Sequence, residues 1–254
     1  MKFDLSTIEM SKRDVIAGLK LPNLLTEELA EFIGIMLGDG HLGYYTGKNG
    51  RERSYVNYQI KIAGNKLEKD YLEYIMNLFY SLFNIKLYYT KDTSYNAIIL
   101  RKNSKGLLQF LNKVCEVPLN HKTNIVEIPQ IIKKSEYGIK CAFLRGLADT
   151  DFSLSFKNRA NKGHNYPVIK GGFKSRKLVE DLEILYLALG FRYCVIYNLK
   201  LRDKRIKGYT TLNCIYLNGR KNFKIWIDTI GFSNPKFKRK VNKWLVDGVC
   251  PPGF

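Results

Sequence analysis

Two apolar stretches, Phe32-Ile-Gly-Ile-Met-Leu-Gly-Asp-Gly40 and Leu144-Arg-Gly-Leu-Ala-Asp-Thr-Asp-Phe152, constrain this chain more than any other feature. Each carries two small residues four positions apart, Gly34 with Gly38 and Gly146 with Thr150. Each then reaches an acid, Asp39 or Asp151, and corresponding positions are 112 residues apart throughout. On a helix this spacing makes a smooth stripe along which two backbones can approach closely. Stripe packed on stripe brings both carboxylates to the same end of the helix pair. That end is the C-terminal one, where the macrodipole disfavours an acid by about 0.3–1 kcal/mol before the two acids repel each other. Two helix-end acids in a purely structural seam are the plain alternative, but that seam gains nothing from their placement. A divalent cation between the carboxylates reverses both penalties, and hard oxygen donors suit Mg²⁺.

The surrounding pattern repeats. Thr26 before Glu27 and Glu28 predicts a helix N-cap, with Leu29, Phe32, Ile33 and Met36 as the apolar face. After Gly40 the period becomes alternating. In 53–62, Val56, Tyr58, Ile60 and Ile62 fall on one face and Tyr55, Asn57, Gln59 and Lys61 on the other, a half-buried strand. Asn65 is read as the cap of an amphipathic helix through Leu67, Tyr71, Leu72, Ile75, Leu78, Phe79 and Leu82. Strands at about 86–90 and 95–101 and a helix through Leu107, Leu108, Phe110, Leu111 and Val114 complete a helix, two strands, helix, two strands, helix order. From Tyr137 the order recurs: alternation at 152–157, a strand at 168–174, a helix capped by Ser175, strands near 193–199 and 210–217, and a helix through Phe223, Trp226, Ile227 and Ile230. Such a repeat sets the fold class as mixed α/β (α+β), with two pseudo-symmetric αββαββα halves packed through their motif helices and joined sheets forming a saddle. The expected divisions are a leader at 1–25, halves at 26–117 and 137–231, a linker at 118–136 and a basic tail at 232–254. The leader, with Lys12 and Arg13, is open to two uses: a short helix against the body or a DNA contact.

Charge narrows the partner. The chain has 42 Lys and Arg against 23 Asp and Glu, a formal charge of +19, far beyond what solubility needs, and this points to a polyanion, with nucleic acid first. No apolar run reaches the ~18 residues that would cross a bilayer, so a membrane partner is not expected and the protein is read as intracellular and DNA-associated. Cys115, Cys141, Cys194, Cys214 and Cys250 are odd in number and form no Cys-x-x-Cys pair, which argues for thiols rather than disulfides or zinc. His41, His121 and His164 show no ligand spacing. Gly38-Asp-Gly-His-Leu-Gly43 matches G-x-G-x-x-G, but a dinucleotide loop follows a strand and opens a helix, the reverse of the order here, so no nucleotide cofactor is expected.

The two nine-residue stretches resemble the signature of the LAGLIDADG homing endonucleases, with Asp39 and Asp151 at the metal-binding position. Phe152 stands where the motif usually ends in glycine and Leu37 where it often has an acid. Ile230-Gly-Phe-Ser-Asn-Pro235 and Gly219-Arg-Lys-Asn222 also resemble segments near the end of such proteins. The resemblance implies a monomer that hydrolyses phosphodiester bonds in both strands of a long double-stranded DNA target with Mg²⁺. A non-cleaving DNA- or RNA-binding protein or intron maturase of the same fold is the alternative. The resemblance also implies an active-site lysine, for which Lys102, just after the fourth strand of the first half, and Lys174, just before the Ser175 cap in the second, are the candidates. The equivalent positions in the opposite halves are Asn218 and Gly64, and a solvated or phosphate-touching lysine is the other reading of each. The carbonyls of Gly38 and Thr150 are further candidate metal ligands. The DNA surface is expected on the outward strand residues, Tyr55, Asn57, Gln59 and Lys61 in the first half and Ser153, Ser155, Lys157, Arg159 and Lys170 in the second. The loop carrying Arg202, Lys204 and Arg205 is expected to touch the DNA backbone.

Overall fold

The structure is a computed structural model that describes residues 2–49, 53–91, 97–120, 122–161, 163–203 and 208–254. It is α+β, with two four-stranded antiparallel sheets and, among the described residues, nine α-helices. The chain divides into two compact units, Met1–Lys122 with Pro129–Leu147, and Thr123–Ile128 with Ala148–Phe254.

In the first unit the leader folds against the body. Lys2 bridges to Leu24, and α1 (Lys12–Ile16) opens on a capping box between Ser11 and Asp14. Asp14 is buried and also accepts hydrogen bonds from Ser104 Oγ at 2.6 Å and Gly106 N at 3.0 Å. The leader's short helix therefore serves packing. Helix α2 (Glu27–Gly38) starts at Thr26, whose hydroxyl accepts from Leu29 N, and is buried on every side from Leu29 to Leu37. That burial suits a helix apolar all round.

The chain then enters β1 (Gly40–Asn49) and β2 (Arg53–Asn65), a hairpin whose first strand the alternating pattern did not delimit. Helix α3 (Lys69–Phe83) begins later than expected. Asn65 closes a local turn instead, its Oδ1 accepting from Leu67 N, and Leu67 is 88% exposed rather than part of the apolar face. Asn and Asp side chains often make such turns in competition with helix capping. Strands β3 (Tyr88–Lys91) and β4 (Ala97–Asn103) complete a sheet ordered β1-β2-β4-β3. Helix α4 (Lys105–Gln109) widens into a π-helical turn at Phe110–Val114. Phe32, Phe79, Phe83 and Phe110 form the core cluster, with ring centroids 5.0–6.3 Å apart. Val56, expected on the buried face, is 47% exposed, because β2 runs past the core at that end.

After α5 (Gln130–Lys133) comes α6 (Tyr137–Asp151), whose residues up to Leu147 belong to the first unit. A Cβ added to Gly34 would stand 2.2 Å from the Phe143 carbonyl oxygen, and one added to Gly146 would stand 2.0 Å from the Glu31 carbonyl oxygen. The two backbones thus touch at their small residues. Beside this contact Glu31 is buried and accepts from Arg145 Nε at 2.8 Å and from Tyr74 Oη at 2.7 Å.

In the second unit β5 (Phe152–Asn158) alternates as read, with Phe152, Leu154 and Phe156 buried and Ser153, Ser155 and Lys157 exposed. Strand β6 begins earlier than the pattern suggested, at His164–Phe173. Ser175 caps α7 (Arg176–Ala188), and its hydroxyl also donates to Val126 O. Strands β7 (Tyr193–Asp203) and β8 (Gly208–Asn218) give the order β5-β6-β8-β7, the same topology as the first sheet. Helix α8 (Gly219–Thr229) packs Trp226 against Phe152, Tyr186 and Phe191. Helix α9 (Pro235–Asp247) takes up most of the basic tail. It is anchored by Asp149, whose carboxylate accepts from Ser233 N at 2.7 Å and Asn234 N at 3.1 Å.

Candidate active site and nucleic-acid interface

Asp39 is the C-cap of α2 and leads straight into β1. The turn is tight: a Cβ on Gly40 would meet the Met36 Cα and carbonyl oxygen at 2.5 Å, and the Asp39 carbonyl accepts from Ala63 N at 3.0 Å. The carboxylate is thereby carried on a rigid helix-to-strand joint, half exposed. Asp151 is the last residue of α6 and is exposed, with Thr150 half-buried before it and β5 following at once.

The final motif position differs between the halves for a visible reason. Gly40 pairs in register with Ile62 on β2, whereas Phe152 pairs with Gly171 on β6. One small and one large residue face each other in both sheets, on opposite strands. A Cβ on Gly171 would fall 2.9 Å from the Phe152 ring, so the glycine makes the room that Phe152 fills.

A cation already sits at the end of α2. The connecting segment joins β1 through a parallel bridge between Leu119 and Leu42, and Asn120 N donates to Leu42 O. Asn120 has φ 58°, a left-handed turn. This path delivers Lys122 Nζ to the carbonyl oxygens of Met36, Leu37 and Gly38 at 2.7, 2.7 and 2.6 Å. Those carbonyls belong to the last turn, which has no intrahelical donors for them and carries the negative end of the helix dipole. Nothing local in the sequence marks Lys122.

Among the described residues no three His, Cys, Asp or Glu side chains converge as a metal cluster. A hard cation such as Mg²⁺ does not require one: it is held by one or two carboxylates, with water and substrate phosphate oxygens completing its shell. Asp39 beside the Gly38 carbonyl in the first unit, and Asp151 beside the Thr150 carbonyl in the second, each offer oxygen donors of that kind. The carbonyl of Gly38 is also a partner of Lys122.

Most of the expected DNA-contacting residues lie on strands, with differing exposure. Arg159 lies just beyond the end of β5, and Arg202, expected in a loop, lies within β7, paired with Tyr209 because the hairpin's ladder runs on to its tip. On β2, Tyr55 is exposed, while Asn57, Gln59 and Lys61 are half-buried. Lys61 pairs with Arg101 on β4, and Arg101 in turn with Tyr88 on β3. Two like charges directly opposite each other destabilise a sheet that has no anion to bind. Arg101 is exposed, and reading β2 alone does not reveal it. In the second unit Ser153, Lys170, Tyr216 and Cys194 line one row across β5, β6, β8 and β7. Cations on both faces lie over tyrosine rings, Lys61 5.3 Å from Tyr45 and Lys170 5.5 Å from Tyr216, while Arg159 lies 4.7 Å from Tyr166. Ser155, Lys157 and Arg202 are exposed; Lys204 and Arg205 lie outside the described residues, as does His121.

The two expected active-site lysines differ in setting. Lys102 lies within β4 rather than after it, on the face of the buried Ile60 with which it pairs, and its ammonium is 5.2 Å from the Tyr88 ring. Lys174 follows β6, is exposed, and its carbonyl accepts from Asn213 Nδ2 at 3.0 Å. In the tail, Lys240 is half-buried, donates to Leu154 O at 3.2 Å, and has its pKa lowered by burial and then by Lys236. All five cysteines are thiols, four of them buried, and burial holds Cys115 well above the ordinary thiol value. No helix among the described residues is long and apolar enough to cross a membrane.

No family model matches the chain. It is 27% identical over 186 residues, 71% of its length, to a DNA polymerase of Methanocaldococcus jannaschii, and 27% identical over 230 residues, 89% of its length, to a probable translation initiation factor IF-2 of the same organism. It spans only 10% and 17% of those two relatives. The fold is similar to that of I-DmoI solved in complex with DNA and Ca, with a TM-score of 0.56 at 20% identity over 85% of this chain and 97% of that one. It is likewise similar to the I-LtrWI LAGLIDADG homing endonuclease bound to target DNA, with a TM-score of 0.56 at 14% identity over 87% and 90% of the two chains. The architecture built by the two sheets and their helices is thus that of the LAGLIDADG homing endonucleases.

Proposed function

We propose that this chain is a site-specific, double-strand DNA endonuclease of the homing type, acting as a monomer, with Asp39 and Asp151 as its metal-binding carboxylates. One observation carries the reading: in each half a motif helix ends on an acid and passes directly into a sheet that sets a lysine over a tyrosine ring, Lys61 over Tyr45 in the first and Lys170 over Tyr216 in the second. The curated relatives support it from another side. A DNA polymerase and an initiation factor share no activity, yet each matches this chain over a small part of its length. What is shared is therefore a segment with its own task, as expected of a mobile endonuclease.

When bound, Mg²⁺ supplies charge stabilisation at the phosphorus and an activated water. The chain's residues do the rest. Asp39 and Asp151 would each offer a carboxylate to the metal from the end of a motif helix, with the Gly38 and Thr150 carbonyls as adjacent oxygen donors. Lys102 and Lys174 are the proposed basic groups that neutralise developing charge on the phosphate. Tyr55, Asn57, Gln59 and Lys61 on one sheet, with Ser153, Ser155, Lys157, Arg159 and Lys170 on the other, read base edges and hold phosphates. Arg202 and its neighbouring loop add backbone contacts.

The test uses a duplex made by joining the host sequences on either side of the gene. Asp39→Asn and Asp151→Asn should each bind it as the native protein does in a gel shift and should lose cleavage by at least ~10²-fold. Undiminished cutting by either variant refutes the site. Binding without any cutting by the native protein, at any divalent cation, shows a DNA-binding module instead.

A further inference from the structure

The cation at the end of α2 matters for how metal binds. Lys122 Nζ lies within 2.7 Å of three carbonyl oxygens, those of Met36, Leu37 and Gly38, and is half-buried there. Three oxygens converging on one positive nitrogen form a cation site, filled by the protein itself. It lies one residue from the Asp39 carboxylate. A divalent cation at Asp39 that also draws on the Gly38 carbonyl needs an oxygen that Lys122 already holds. The two positive charges also repel over a few ångströms in a setting less screened than bulk water.

We propose that Lys122 is a positioning residue whose ammonium competes with the divalent cation for the C-terminal end of α2. Without metal it satisfies the orphan carbonyls and fixes the turn that carries Asp39. With metal it withdraws from the Gly38 carbonyl, so its charge sets how much divalent cation the protein needs. The segment suits this task, because the hydrogen bond from Asn120 N to Leu42 O holds it to β1 two residues before Lys122, within reach of the end of α2. The inference rests on Asp39 being a metal-binding carboxylate, and the test separates the two.

Ca²⁺ is titrated calorimetrically into the full chain at low ionic strength without DNA, using the native protein, Lys122→Met, Lys122→Arg and Asp39→Asn. We expect Lys122→Met to bind Ca²⁺ ~10-fold more tightly than the native protein, Lys122→Arg to bind it about as the native protein does, and Asp39→Asn to lose the site. Thermal melting gives a second readout: the metal-free Lys122→Met protein should melt below the native one, and Ca²⁺ should raise its Tm by the larger increment. If Lys122→Met fails to fold without metal, Lys122→Gln, whose amide still donates to carbonyls, takes its place in the same comparison. Equal or weaker Ca²⁺ binding by the uncharged variant, with Asp39→Asn still losing the site, overturns the competition and leaves the Asp39 reading standing. Ca²⁺ binding untouched by Asp39→Asn, or none in any protein, overturns both.

Discussion

Asp14 shows how one buried charge fastens the leader. Its carboxylate takes hydrogen bonds from Ser11 N and Oγ, Ser104 Oγ and Gly106 N, tying α1 to the start of α4. Burial alone would raise its pKa; the bonds from Ser104, Gly106 and Ser11 together outweigh this and lower it from 3.8. A group with a depressed folded value stabilises the fold above its unfolded pKa and loses that contribution as pH falls through the folded one. Asp14→Ala should therefore cost ~2–3 kcal/mol at neutral pH, the cost of stranding several buried donors. In urea denaturation the gap to the native protein should stay constant above about pH 5 and narrow below the unfolded value near 3.8. A gap that does not change with pH down to about 2 would show that the carboxylate's charge contributes nothing. In the sequence Asp14 is one acid in a mixed leader, since the partners that bury it, Ser104 and Gly106, lie about ninety residues away. Lys122 was hidden for the same reason, because its three carbonyl partners precede it by more than eighty residues.

At the scale of elements, the helix pair and the sheets were legible where local period and packing agree. The stripe of Gly34 and Gly146 predicted a close backbone approach, and both glycines stand where any side chain would strike the other helix's backbone. The boundaries that shifted did so through local polar chemistry, as where Asn65 made a turn, or where a strand outran its core, as at Val56. Exchange of the large residue between paired strands, Ile62 facing Gly40 and Phe152 facing Gly171, was not legible, because register is a property of two strands together. Gly146→Ala should cost at least ~3 kcal/mol by chemical denaturation, since the methyl would stand 2.0 Å from the Glu31 carbonyl oxygen and neither helix backbone can yield. Gly172→Ala is the control: its Cβ would meet only side-chain atoms at 3.6 Å, so it should change stability by no more than ~1 kcal/mol. Equal effects from the two substitutions would remove the steric account of the seam.

For the whole molecule the governing quantity is charge. A formal +19 over 254 residues predicts association dominated by counterion release, with log K falling linearly against log salt. A strand's own sequence does not show what its neighbour places beside it, and the sheet sets Arg101 directly opposite Lys61. Mutual repulsion makes this pair a cost in the free protein, and a DNA phosphate placed against it relieves that cost on binding. Lys61→Ala with Arg101→Ala should therefore weaken binding to target and unrelated duplexes alike and reduce the magnitude of the salt slope by ~2. The doubly substituted protein should also be no less stable than the native one, because a like-charge pair has been removed. Loss of affinity for the target alone, with an unchanged slope, would instead make these two residues readers of base edges. Filter binding across a salt series on both duplexes, with a melting curve of each protein, distinguishes a phosphate clamp from a sequence reader on this face.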